Sequence, residues 1–160
     1  MDEESLKAAL KKEFKFSPDD TRITVAPDVP GLLVFSAYDT GRQGRQVTGV
    51  FDGRTIERDF RTNFDRVLVA LGVDDSQRVP PTVVAKAIGM LEGDPGVPIV
   101  DPDALHLLRP DVGYFLPRYT TIDGRTAVEY WVSSRMAPWR TSIVVGPDHT
   151  YEYRRNGEVQ

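Results

Sequence analysis

The sequence has no cysteine and only two histidines among its 160 residues. The first absence excludes a disulfide framework, thiolate catalysis, iron–sulfur clusters and cysteine-ligated zinc, and says nothing about compartment. The second leaves little for a transition metal, and no HxH, HExxH or EF-hand spacing occurs. No apolar run approaches the ~18 residues of a membrane span. The start, Met1-Asp2-Glu3-Glu4-Ser5, lacks the basic and apolar regions of a signal peptide. On this reading the chain is cytoplasmic as written, or the processed form of an exported protein. Lysine is scarce as well: five Lys stand against 15 Arg, and four of the five are Lys7, Lys11, Lys12 and Lys15. That bias reads as codon composition, although arginine is also the better bidentate anion donor.

What is present argues for one folded domain over 1–160. With 40% hydrophobic residues and a net charge of −4, the chain is too apolar and too weakly charged for disorder. A domain of about 150 residues buries roughly 70% of the surface of its unfolded chain, so a real core is expected. Leu6, Ala9, Leu10 and Phe14 share one helical face, with acids first and Lys11 and Lys12 last, and predict an amphipathic helix over 2–14. The period then becomes alternating through Ile23–Val25, Leu32–Tyr38, Val47–Phe51 and Thr55–Ile56, separated by the turn signals Pro27-Asp28, Gly41–Gly44 and Asp52-Gly53.

Helical spacing returns at Phe64, Val67, Leu68 and Leu71, with Thr62 as the expected N-cap and Gly72 as the stop. Pro81 opens a third helix, with Val84, Ala87, Ile88 and Leu91 inward, slightly weakened by Gly89 and ended by Gly93. A loop containing Asp94-Pro95-Gly96 and Pro98 follows, and Asp101-Pro102 caps one helical turn over Ala104–Leu108. A second meander is expected over Tyr114–Ile122, Arg125–Ser133, Arg140–Val145 and Thr150–Arg154, with an Asp123-Gly124 hairpin.

The fold class is therefore α+β, a mostly antiparallel curved sheet of two meanders packed against three or four short helices. The segment 50–57 echoes 145–152, which raises an internal duplication with pseudo-repeats 1–72 and 80–156. If that duplication holds, the two meanders could join into one continuous sheet. Alternation in Arg140–Val145 would also permit pairing across a homodimer.

Catalytic signatures are missing. The five Pro-Asp pairs are not followed by the acid-x-Lys of a metal nuclease and read as turn and helix-start chemistry. Gly41-Arg42-Gln43-Gly44-Arg45 resembles a phosphate loop but has neither the Lys-Ser/Thr nor the helix that such a loop needs. No Gly-x-Ser-x-Gly elbow occurs. His106 with Asp103 at i−3 is the one acid/base pair to weigh, against the plainer reading of a packed histidine behind capping aspartates. His149 reads as a turn residue. No cofactor or metal is implied.

The C-terminal part is richer in interaction chemistry. Residues 105–160 carry seven basic and six acidic side chains interleaved with Tyr114, Phe115, Tyr119, Tyr130, Trp131, Trp139, Tyr151 and Tyr153. If Tyr130 faces the core, Trp131 faces away. With Trp139, Arg135 and Arg140 it then forms the best binding surface the sequence offers. The favoured function is a non-catalytic protein- or peptide-binding module. The alternative is a small-molecule-binding or enzymatic cone with His106 and Asp103 in its pocket. Nucleic acid ranks below a protein partner because the chain is acidic and lacks a glycine-aromatic signature.

Overall fold

The computed structural model describes every residue except Met1, 27–28, 42–43, 75–78, 93–96, 109–111 and 135–136. Its first helix, α1 (Glu3–Phe14), begins at Asp2, whose carboxylate accepts from Ser5 N at 2.8 Å. Glu3 and Glu4 sit in the first turn and Lys11 and Lys12 in the last, each complementing the helix dipole. The helix stops at Lys15, which adopts the left-handed conformation.

The chain divides into two compact units, Met1–Leu71 with Met90–Gly93, and Gly72–Gly89 with Asp94–Gln160. In the first, α1 is followed by an antiparallel meander, β1 (Thr21–Val25), β2 (Leu33–Asp39), β3 (Arg45–Phe51) and β4 (Ile56–Glu57), in the order β1-β2-β3-β4. Register fixes the faces, because directly opposed residues share one. Ile23 pairs with Ala37, Val25 with Phe35, Ala37 with Val47 and Leu33 with Phe51. This face meets Leu6 and Leu10 of α1 in one core cluster that also takes in Phe16. Helix α2 (Phe60–Leu71) lies against β3 and buries Phe64, Val67, Leu68 and Leu71. Its N-terminal carboxylate is Asp59, which accepts from the Thr62 amide at 2.8 Å and from the Thr62 hydroxyl at 2.9 Å. The expected cap Thr62 is thus the donor to the residue that caps, and the helix begins two residues before it. Gly72, at φ +65°, is the stop.

The second unit holds α3 (Pro81–Leu91), apart from its last two residues, and a short strand β5 (Val97–Pro98). Helix α4 (Pro102–His106) and the strands β6 (Arg118–Ile122), β7 (Arg125–Ser133), β8 (Trp139–Val145), β9 (Tyr151–Arg155) and β10 (Glu158–Val159) complete it. The sheet runs β10-β9-β8-β7-β5, with β6 also on β7 and every pair antiparallel. Asp123 and Gly124 both adopt positive φ, as a two-residue hairpin joining right-twisted strands requires.

The fold is thus α+β, with two antiparallel sheets, of four and six strands, and four α-helices among the described residues. The meanders do not join into one sheet. The first sheet keeps sequential order over its four strands and the second over β6 to β10, but a shared strand order does not establish a duplication. Pro98, read from the sequence as loop, lies in a two-residue strand, where no ladder depends on a missing amide for more than one step. β8 is flanked on both sides by β7 and β9, so Arg140–Val145 is a central strand and not an edge. The Pro27-Asp28 turn and the Asp94-Pro95-Gly96 loop lie outside the described residues, as do Arg42 and the end of α3 expected at Gly93.

Candidate functional site

The two faces of the six-stranded sheet follow from its register. Trp131 is opposed to Arg140 and Val132 to Trp139. Trp139, Thr141 and Ile143 therefore share a face with Val128, Tyr130 and Val132, and through β9 with Tyr151 and Tyr153. This is the core face: Tyr130, Val132 and Ile143 are fully buried and Trp139 is only 8% exposed. The Tyr151 hydroxyl donates to Val73 O at 3.0 Å and the Tyr119 hydroxyl donates to Val79 O, tying the chain before α3 to this side. Burial raises the Tyr119 phenol above its ordinary pKa. At its rim the Arg155 guanidinium stacks 3.9 Å from the Trp139 ring centroid.

The opposite face carries Trp131, Glu129 and Ala127 from β7, Arg140, Ser142 and Val144 from β8, Arg154 and Glu152 from β9, and Arg118 from β6, with Ala127, Ser142 and Val144 buried. The expected group of four therefore divides. Trp131 and Arg140 are cross-strand neighbours on this face, Trp139 belongs to the core face, and Arg135 lies outside the described residues.

Around Trp131 the arrangement is specific. Tyr114 and Phe115, from the segment before β6, meet its indole edge to face, with centroids 4.8 and 6.0 Å away. The Arg118 guanidinium lies 3.7 Å from the Phe115 centroid and also reaches Glu129, with Nη2 to Oε2 at 3.3 Å. From the other side Arg140 Nε stands 3.7 Å from Glu129 Oε1. Glu129 is 7% exposed, whereas the side chains of Arg118 and Arg140 are 54% and 46% exposed. The buried acid is matched by two cations that keep most of their donors in solvent. The Trp131 indole nitrogen is itself shielded and has no hydrogen-bond partner among the described residues.

Further along the face, Arg154 pairs with Glu152 and with Asp123 at 2.9 Å, and Arg125 reaches Glu152 at 3.5 Å. The Arg154 hydrogen bond holds the Glu152 carboxyl below its ordinary pKa, and the Glu152 partner raises the Arg154 guanidinium in turn. Water reaches Asp123 most freely among these groups, its side chain being 66% exposed, and screening there keeps the Arg154–Asp123 pair weak.

His106 and Asp103 are both exposed on the five-residue α4, where Asp101 is the cap and accepts from Asp103 N at 2.9 Å. Neither lines the two clefts described. One, of about 440 Å³, is bounded by Asp74, Arg125, Thr126 and the Val145–His149 turn. The other, of about 640 Å³, lies along Lys11, Lys12, Lys15 and Phe16. His149 is in the turn, as its sequence context suggests, and adopts φ +56°. No group of three or more His, Asp or Glu able to hold a metal occurs among the described residues. Among those residues no helix is long and apolar enough to cross a membrane.

Tyr114 and Phe115 stand in the sequence only as part of an aromatic-rich stretch, and nothing local connects them to Trp131, because they come from the segment before β6 and meet Trp131 through the fold. The Asn156-Gly157 turn into β10 is likewise absent from the sequence expectations, although Asn-Gly is among the strongest short hairpin signals. Compared with known protein families, with curated proteins and with solved structures, the chain matches none.

Proposed function

We propose that the chain is a non-catalytic module that binds a protein or peptide through the Trp131 face of its six-stranded sheet. The observation that carries this reading is the combination of a three-ring aromatic cluster with two half-exposed arginines whose shared acid is already buried. Aromatic and arginine side chains are the residues in which binding energy concentrates at protein interfaces. The free guanidinium donors favour a partner segment bearing a carboxylate, with an apolar side chain to lie against Tyr114 or Phe115. Nucleic acid ranks below such a partner because the chain as a whole is acidic, with a net charge of −4.

The test is a Tyr114→Ser/Arg118→Gln double variant, which leaves Arg140 to pair with Glu129. Immobilised wild-type protein should retain a defined binder from an extract of its source cells, and the variant should lose it while keeping its unfolding midpoint. Equal retention by both proteins refutes this surface. Trp139 is not a suitable probe, because truncating a buried Trp removes about 3–5 kcal/mol of packing and perturbs the fold itself.

A further inference from the structure

We propose that the cleft at the C-terminal end of α1 is an anion site that takes the phosphate group of a small soluble molecule. The cleft, of about 640 Å³, is lined by Lys11, Lys12, Lys15, Phe16, Ser17 and Pro18, and no acidic side chain among the described residues lines it. Small-molecule sites are typically about 300–1,000 Å³, so there is room for more than the phosphate itself. Lys11, Lys12 and Lys15 are exposed, and none of them forms an ion pair among the described residues. Lys7, on the same helix but outside the cleft, is the contrast, since it pairs with Glu3 at 3.0 Å.

Lysines in the last turn of a helix ordinarily complement its dipole and bond its last carbonyls. Here other groups already serve most of those carbonyls. Lys15 N donates to Lys11 O at 3.1 Å, Phe16 N to Leu10 O at 3.4 Å, and Arg45 Nη1 to Phe14 O at 2.7 Å. The Lys15 ammonium donates to Lys12 O at 3.1 Å and keeps two further protons. The residue that stops a helix in the left-handed conformation is usually glycine, yet Lys15 holds φ +60° with a full side chain. The positive field extends beyond the lysines. Arg45 lies 5.8 Å from the Phe16 ring centroid and Arg58 lies 5.4 Å from that of Phe14, and neither pairs with a carboxylate among the described residues. Five cations thus gather at one helix end, in a chain whose net charge is −4.

Residue type selects phosphate over carboxylate. Where separate segments of this chain meet through a carboxylate the cation is arginine, as with Arg66 and Asp52 or Arg118 and Glu129. The planar guanidinium fork matches two coplanar oxygens. An ammonium is a point charge with rotatable donors, and three of them suit a dianion whose terminal oxygens spread in a tetrahedron. The Ser17 hydroxyl adds a neutral donor on the same wall. The lysine stems and Pro18 give the rest of the ligand an apolar flank.

Amide proton–nitrogen correlation spectra, titrated with inorganic phosphate at pH 8 and fixed ionic strength, test this. Saturable shifts centred on residues 11–17 are expected, with the dicarboxylate malonate several times weaker at the same charge. Lys11→Gln/Lys12→Gln should weaken phosphate binding about tenfold and Lys15→Gln severalfold, with unchanged far-UV circular dichroism. Lys7→Gln removes one charge outside the cleft and should leave the affinity within about twofold. The proposal is overturned by the absence of saturable shifts, by a loss through Lys7→Gln equal to that through Lys15→Gln, or by malonate binding as tightly as phosphate. Phosphatidylcholine vesicles containing phosphatidic acid should not sediment the protein. Sedimentation that the Lys11→Gln/Lys12→Gln variant abolishes, with no response to free phosphate, would give these cations to a lipid headgroup and overturn the soluble ligand.

Discussion

Gly89 lies inside α3, where glycine is ordinarily about 1 kcal/mol worse than alanine. Gly89→Ala would therefore stabilise an open helix, but here the structure predicts the reverse. A Cβ at this position would stand 2.1 Å from Pro98 Cγ and 2.7 Å from Pro98 Cδ. Apolar carbons settle about 3.5–4.0 Å apart, so α3 and β5 would have to separate by more than about 1 Å. Pro98 has little room to yield. Its ring is closed on the backbone, it is opposed to Val132, and the next residue, Ile99, donates to Trp131 O at 2.9 Å. Overpacking of this kind destabilises by about 1–3 kcal/mol. Set against the propensity gain, the net effect is a loss of up to about 2 kcal/mol. Urea unfolding followed by tryptophan fluorescence measures it. Pro98→Ala removes the obstructing ring, so the double variant should be more stable than the two single changes sum to, by about 1–2 kcal/mol. A Gly89→Ala protein more stable than wild type by about 1 kcal/mol would refute the reasoning.

Gly49→Ala should lower the thermal midpoint through a loss of about 1–3 kcal/mol, because its Cβ would meet the Glu57 carbonyl oxygen at 2.3 Å where β3 pairs with β4. An unchanged midpoint would mean that β4 is not seated as described. Asp52 accepts hydrogen bonds first from the Thr55 amide and next from the Arg54 amide, with Arg66 at 3.1 Å, and its folded pKa is depressed. A carboxyl so depressed stabilises the fold above its unfolded pKa of about 4, and loses that contribution as pH falls through the folded value. Wild type should thus exceed Asp52→Ala in stability at pH 5 and lose that advantage progressively towards pH 2. A gap independent of pH would contradict the assignment.

Local periodicity was enough for most elements. α1 is legible from Leu6, Leu10 and its sorted charges, β7 from Arg125 to Ser133, and the β6–β7 hairpin from Asp123-Gly124, because each signal acts within a few residues. What sequence could not convey is how strands are set against each other. Trp139 and Arg140 alternate in any strand, but which of them joins Trp131 depends on the number of residues in the connection after Ser133. One residue more or fewer would exchange them. The separation of the meanders into two sheets is likewise a matter of long-range pairing, which neither hairpin signal encodes. α2 begins earlier than expected because Asp59 caps it by accepting from the Thr62 amide three residues on, and the sequence pattern alone does not rank Asp59 above Thr62 as the cap.

Because the chain has no native cysteine, the assignment of faces in β8 can be read with single thiols. Arg140→Cys and Thr141→Cys place a reporter on either side of the sheet, at an exposed and at a fully buried position. The face assignment predicts rapid maleimide labelling at 140 in the native protein, and labelling at 141 only on unfolding. Rapid native labelling at 141 with protection at 140 would reverse the two faces and remove the basis for a binding surface at Trp131.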